Sequence, residues 1–184
     1  MKITGCIFLL LLVMTSVAAQ ESLGFSLQVK AGWQRPRIYG AEKDSMSGYA
    51  KTGWILGLSA LSPIGKSLVL KHDAWLAMQK GETRLDLFPV SAAYRKYDME
   101  IFAGPYMGIL LRADNYGNGS MENGYATKND LGYTIGAGYT FRKRLNAEIR
   151  YVQGWSPLAE NAGTKAQLKA YRQYLSFTLG YVLF

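Results

Sequence analysis

From Leu131 to Phe141 the apolar side chains fall on every second residue: Leu131, Tyr133, Ile135, Ala137, Tyr139 and Phe141, with Gly132, Thr134, Gly136, Gly138 and Thr140 between them. A period of two is the mark of a β-strand whose two faces meet different surroundings. After Arg142-Lys143-Arg144 the alternation resumes as Leu145, Ala147, Ile149 and Tyr151 against Asn146, Glu148 and Arg150. Two such runs joined by a short basic turn read as one antiparallel hairpin. Each run is about ten to twelve residues, where strands of soluble sheets typically have five or six. That is the length a tilted strand needs to cross a bilayer.

The pattern recurs along the chain. Strand one, Leu23 to Trp33, sets Phe25, Leu27, Val29, Ala31 and Trp33 against Ser26, Gln28, Lys30 and Gly32; strand two, Lys51 to Leu61, is blurred by Gly53 and Gly57. Strand three, Ser67 to Gln79, places Lys71, Asp73 and Trp75 opposite Leu68, Leu70, Ala74 and Leu76. Strand four, Leu85 to Tyr94, has no assignable facing, because Pro89 interrupts it and both faces are apolar. Strand five sets Met99, Ile101, Ala103, Met107 and Ile109 against Glu100, Phe102, Gly104, Tyr106 and Gly108, and the last strand is Tyr171 to Phe184. The expected fold is all-β, an eight-stranded antiparallel up-and-down transmembrane β-barrel.

Connection lengths orient it. The links after strands two, four and six are short turns, while Arg35 to Ala50, Ala113 to Asn129 and Ser156 to Ala170 are long and rich in Gly, Asn, Ser and charge. Short turns on one rim and long loops on the other are the arrangement of an outer-membrane barrel, periplasmic turns below and external loops above. The aromatics agree: Trp33, Trp54, Tyr133, Trp155 and Tyr171 fall at loop-side strand ends, and Phe25, Tyr94, Phe141, Tyr181 and Phe184 at turn-side ends. Two interfacial girdles require that grouping.

The chain opens with Lys2, an apolar run from Ile7 to Val13 and the small residues Val17-Ala18-Ala19. This is the order of a secretory signal peptide, so residues 1–19 are expected to be cleaved and residues 20–184 to form the barrel. The chain's single cysteine, Cys6, lies ahead of the apolar run and leaves with it. The mature chain then has no disulfide and no thiolate metal site. The protein is expected in the outer membrane after signal-dependent export.

Several short motifs, taken in order, resemble the PorT-like outer-membrane β-barrel family of Bacteroidota, barrels of the OmpX/OmpA type. They are Ser62-Pro63-Ile64-Gly65-Lys66 with Gln79-Lys80-Gly81, Ala103-Gly104-Pro105-Tyr106-Met107-Gly108, Gly136-Ala137-Gly138-Tyr139 and Ile149-Arg150-Tyr151. The resemblance implies an eight-stranded outer-membrane barrel and an association of some relatives with type IX secretion, and it does not imply a catalytic site. The end Gly180-Tyr181-Val182-Leu183-Phe184 has one residue more than the Gly-Tyr-x-Phe close of that family.

Lys30, Lys71, Asp73, Glu100, Arg142, Glu148 and Arg150 are expected to form a polar network in the lumen, since an eight-stranded barrel is just wide enough for its own side chains to fill. Arg112, Lys128, Lys169 and Arg172 are candidate lipopolysaccharide contacts at the external rim, with Arg35, Arg37, Lys80 and Arg84 near them. The formal charge of +8 is spread over both rims, which disfavours a nucleic-acid surface. No phosphate-cradling loop or metal-ligand cluster is visible, so no cofactor is expected. His72 is the chain's one histidine, and no serine stands beside it in the esterase-type spacing. The expectation is a non-enzymatic structural, binding or assembly protein, with outer-membrane lipid, the barrel-assembly machinery and an envelope protein as its partners. Its rivals are a lipid A-modifying enzyme, a small pore, and a soluble lipocalin-like barrel with the two faces exchanged. Tyr39, Tyr49, Tyr116 and Tyr125 are the candidate recognition residues of the loops. Asn118-Gly119-Ser120 and Asp44-Ser45-Met46 are formal glycosylation motifs.

Overall fold

The computed structural model describes residues 24–40, 51–113, 129–157 and 170–183. They form eight strands: β1 Ser26–Tyr39, β2 Gly53–Pro63, β3 Leu68–Gln79, β4 Glu82–Lys96, β5 Met99–Ala113, β6 Asn129–Phe141, β7 Leu145–Gly154 and β8 Tyr171–Val182. Each pairs antiparallel with its sequence neighbour, and β1 pairs with β8, so the sheet closes. A closed barrel has no free edge, and every ladder hydrogen bond is made within the wall.

The faces decide what surrounds it. Trp54 is 70% exposed, Leu179 59% and Ile135 54%, all on the outer wall, whereas Lys30, Asp73, Glu148 and Arg150 are buried inside. A lipocalin-type barrel would turn Leu131, Tyr133, Ile135 and Tyr139 inward; here all four are on the outside. An apolar wall around a charged interior is stable only in hydrocarbon. Tyr133 packs on Trp155 near the loop-side rim (centroids 5.6 Å), and Tyr139 on Phe141 near the other rim (4.5 Å).

The start of β1 and the end of β8 lie on the rim of the short turns 64–67, 97–98 and 142–144; the opposite rim carries the three long connections and the tight link at residues 80–81. Strand lengths differ from the sequence reading in two places. β1 continues past Trp33 to Tyr39 because β8 carries the ladder on, up to Tyr39↔Tyr171, after pairing with β2 ends at Gln34↔Gly53. β4 begins at Glu82 and holds an extra residue. Lys71↔Ser91 and Asp73↔Phe88 bracket it on β3, and Leu87↔Met107 and Ala92↔Ala103 on β5. His72 therefore faces the two residues Pro89 and Val90, which is a β-bulge. Before the bulge Glu82, Arg84, Asp86 and Phe88 point inward; after it Ser91 and Ala93 do. The phase slips by one, and no single alternation describes this strand.

Candidate functional site

The interior is built in layers from alternate strands, as small barrels require. In the layer nearer the short turns the large groups come from odd-numbered strands: Lys30, Lys71, Asp73, Glu100, Glu148 and Arg150. Small residues of the even strands make the room. A Cβ on Gly180 would stand 3.2 Å from Lys30 Cγ, and one on Gly138 3.1 Å from Glu100. Three cations and three carboxylates are thus gathered with no formal excess of either sign.

Glu148 is the hub. Its Oε2 accepts from Lys30 Nζ at 2.6 Å and from Lys71 Nζ at 2.5 Å, and its Oε1 from Arg150 Nε at 3.0 Å. Arg150 Nη2 also reaches Asp73 Oδ2 at 2.5 Å, and Lys71 reaches Glu100 at 2.6 Å. Arg95, half-exposed at the short-turn rim, caps the other Glu100 oxygen at 2.7 Å. Arg150 Nη1 has no hydrogen-bond partner, but the guanidinium lies 4.0 Å over the Phe88 ring and 4.2 Å over Trp75. A desolvated cation on aromatic faces gains roughly 2 kcal/mol, which offsets part of the missing bond.

Above it sits an aromatic layer. Trp75, Phe88, Tyr106 and Tyr174 follow one another at centroid distances of 4.8, 5.6 and 6.1 Å, with Ile55 and Val152 closing the gaps. Both phenols donate upward to Asp86, Tyr174 at 2.9 Å and Tyr106 at 3.1 Å. Asp86 also takes the fork of Arg84 at 2.5 and 2.9 Å, and Arg84 Nη1 reaches Glu82 at 2.8 Å. Arg172 on β8 completes this upper layer with 2.9 Å to Glu82.

Six of the seven expected lumen residues meet in one network: Lys30, Lys71, Asp73, Glu100, Glu148 and Arg150. Arg142 is a correction. β6 ends at Phe141, and Arg142 and Lys143 form the turn with φ of 47° and 62°, leaving the Arg142 side chain exposed on the rim. Arg172 is a second correction, since its guanidinium is buried in the lumen against Glu82 and cannot meet a lipid. Arg84, expected near the external rim, is likewise inside. Arg112 is exposed at the end of β5. Lys128, Lys169, Tyr49, Tyr116, Tyr125 and both glycosylation motifs lie outside the described residues. Tyr39 belongs to β1, stacks on Tyr171 at 5.3 Å and donates to the Gly154 carbonyl at 3.2 Å.

The upper layer was missed by sequence reasoning, although Glu82, Arg84 and Asp86 alternate as clearly as any lumen set. Their period ends at Pro89, and a strand begun at Leu85 leaves two of them out. His72 is half-buried on the outer wall, and its Nδ1 donates to the Pro89 carbonyl. That carbonyl lies where the register of β4 breaks, and in hydrocarbon an unpaired carbonyl costs several kcal/mol. The histidine is thereby occupied as a structural donor.

Residues 85–160, from β4 into the connection after β7, match the family model described as the outer membrane protein beta-barrel domain. Neisserial surface protein A is similar in structure, with a TM-score of 0.53 at 15% identity over 86% of this chain and 98% of that one. Ail, the attachment invasion locus protein of Yersinia pestis, gives a TM-score of 0.48 at 12% identity over 86% of this chain and 98% of that one. The N-terminal barrel domain of Pseudomonas aeruginosa OprF gives 0.46 at 11% identity over 86% and 97%. No curated protein matches the sequence. The domain match, the closed eight-stranded fold and the inverted faces make this chain an outer-membrane β-barrel protein.

Proposed function

We propose that the protein is a non-conducting, non-enzymatic scaffold that presents its external loops for recognition of an envelope protein or glycan. The observation that carries this is the filled lumen. Trp75, Phe88, Tyr106, Tyr174, Arg84 and Arg150 are each under about 2% exposed, and they stand in consecutive layers across the bore. A pore needs a continuous wet path, and these side chains occupy it. With chemistry and conduction set aside, the long loops are the segments left to carry function, and loops on a rigid scaffold are where recognition sits. In this reading residues 1–19 are the export signal, and the barrel-assembly machinery inserts the mature chain. The secretion-linked role carried by the PorT-like resemblance is the version in which the bound partner is a component of that apparatus.

Planar-bilayer recording on the purified protein tests the scaffold reading, and no channel steps are expected. Affinity capture from envelope extracts, repeated after the connection between Ala113 and Asn129 is shortened, tests the recognition reading. Loss of the captured partner supports it. Stable conductance that survives the shortening overturns the proposal in favour of a pore.

A further inference from the structure

The outer wall carries a groove of about 610 Å³ where β8, β1 and β2 run side by side. Its floor is Ala31, which pairs with Leu179 on one side and Leu56 on the other. The next outward residue toward the loop rim is Trp33, flanked by Phe177 and Trp54, so large rings overhang a small methyl. The lining is almost wholly apolar. In a bilayer such a hollow is filled by a hydrocarbon chain, because an empty one forfeits dispersion contacts along its whole wall.

The same strand face continues upward as Arg35 and Arg37, both exposed. Residues two apart on a strand share a face and are about 7 Å apart, so the arginines extend the line of Ala31 and Trp33 toward the external surface. Among the described residues no carboxylate pairs with either guanidinium, and their β8 register partners are the uncharged Leu175 and Gln173. Two arginines in line above an apolar groove, with no carboxylate partner among the described residues, fit an anchored lipid with phosphates on its head. A zwitterionic phospholipid would bring its own ammonium against the second arginine. Lipid A, which carries phosphate on a sugar head without that cation, does not.

We infer that this face binds one outer-leaflet lipid A molecule, an acyl chain lying over Ala31 beneath Trp33 and Trp54 and a phosphate held by Arg35 and Arg37. The site is independent of the lumen and of the loops. It narrows the rim contacts expected from the sequence to Arg35 and Arg37 above one groove, and leaves out Arg172, which is committed to Glu82.

The test titrates bis-phosphorylated lipid A into delipidated protein in detergent, read by native mass spectrometry and by the fluorescence of Trp33 and Trp54. The wild type should retain one lipid A per barrel and prefer it to phosphatidylglycerol and phosphatidylethanolamine. Arg35→Gln with Arg37→Gln should weaken retention by about tenfold or more, as loss of charge-assisted bonds requires. Ala31→Phe, which fills the groove, should weaken it comparably, while Arg142→Gln with Lys143→Gln on the opposite rim should not. Heat-modifiable electrophoretic mobility checks that each variant is folded, and the single arginine substitutions serve if the double variant fails to insert. Unchanged retention in the arginine or the Ala31 variants, or phosphatidylglycerol retained as strongly as lipid A, overturns the inference.

Discussion

The two charged layers of the lumen solve the same problem with opposite wiring. In the lower layer every link made by Lys30 and Lys71 joins different strands, across sequence separations from 29 to 118 residues. In the upper layer Glu82, Arg84 and Asp86 neighbour one another on β4, with separations of two, and Arg172, Tyr174, Tyr106, Gln34 and Gln79 tie them to other strands. In a cross-barrel network the loss of one partner loosens several strands at once. A network written along one strand keeps most of its pairs when a partner is lost. The lower layer is therefore the part that holds the closed barrel in register, and the upper layer is the part that tolerates change.

The largest expected effect follows from the hub. Glu148→Gln removes the carboxylate that Lys30, Lys71 and Arg150 share and leaves three buried cations facing only Asp73 and Glu100, and breaking a buried pair from one side costs about 3 to 5 kcal/mol. Urea unfolding of the barrel reconstituted in vesicles should show a loss of that size, or no inserted protein at all. Glu82→Gln in the upper layer leaves Arg84 its fork on Asp86 and removes the one carboxylate that Arg172 is seen to reach. The loss should be smaller, about 1 to 3 kcal/mol. Equal losses in the two variants would erase the distinction between the layers.

His72→Leu sharpens the comparison, since the bulge it caps is what sets the facing of β4 between the two layers. Removing the donor takes the His72 hydrogen bond away from the Pro89 carbonyl, at a cost of about 1 to 3 kcal/mol. If the bulge is held by His72, amide exchange at Leu87 to Ala92 should accelerate more than at Glu82 to Asp86. Uniform acceleration along β4 would show that the bulge is held by the neighbouring strands alone.

Much of this was legible in the residues. Lys30, Lys71, Asp73, Glu100, Glu148 and Arg150 each sit in an unbroken alternation, so their facing follows from counting. The hairpin of β6 and β7 is read directly, with its outward ring of Leu131, Tyr133, Ile135 and Tyr139. Arg142 went astray because counting by twos does not announce where a strand stops, and the strand stops one residue before it. Arg172 went astray because a basic residue beside a loop looks the same whether it points to lipid or to Glu82.

By itself the sequence determined that there would be eight crossing strands, which rim would carry the long connections, and that lipid would meet the apolar faces, because all three follow from local periodicity and connection length. Only the tertiary structure decided the facing of β4 and the length of β1. The extra residue at Pro89 and Val90 exists only relative to the ladders of β3 and β5, and the continuation to Tyr39 exists because β8 is there to pair with it. The partners of each buried charge were decided at the same level. Which carboxylate a lysine reaches depends on how far the strands are staggered when the barrel closes, and stagger is a property of the closed sheet and of no single strand.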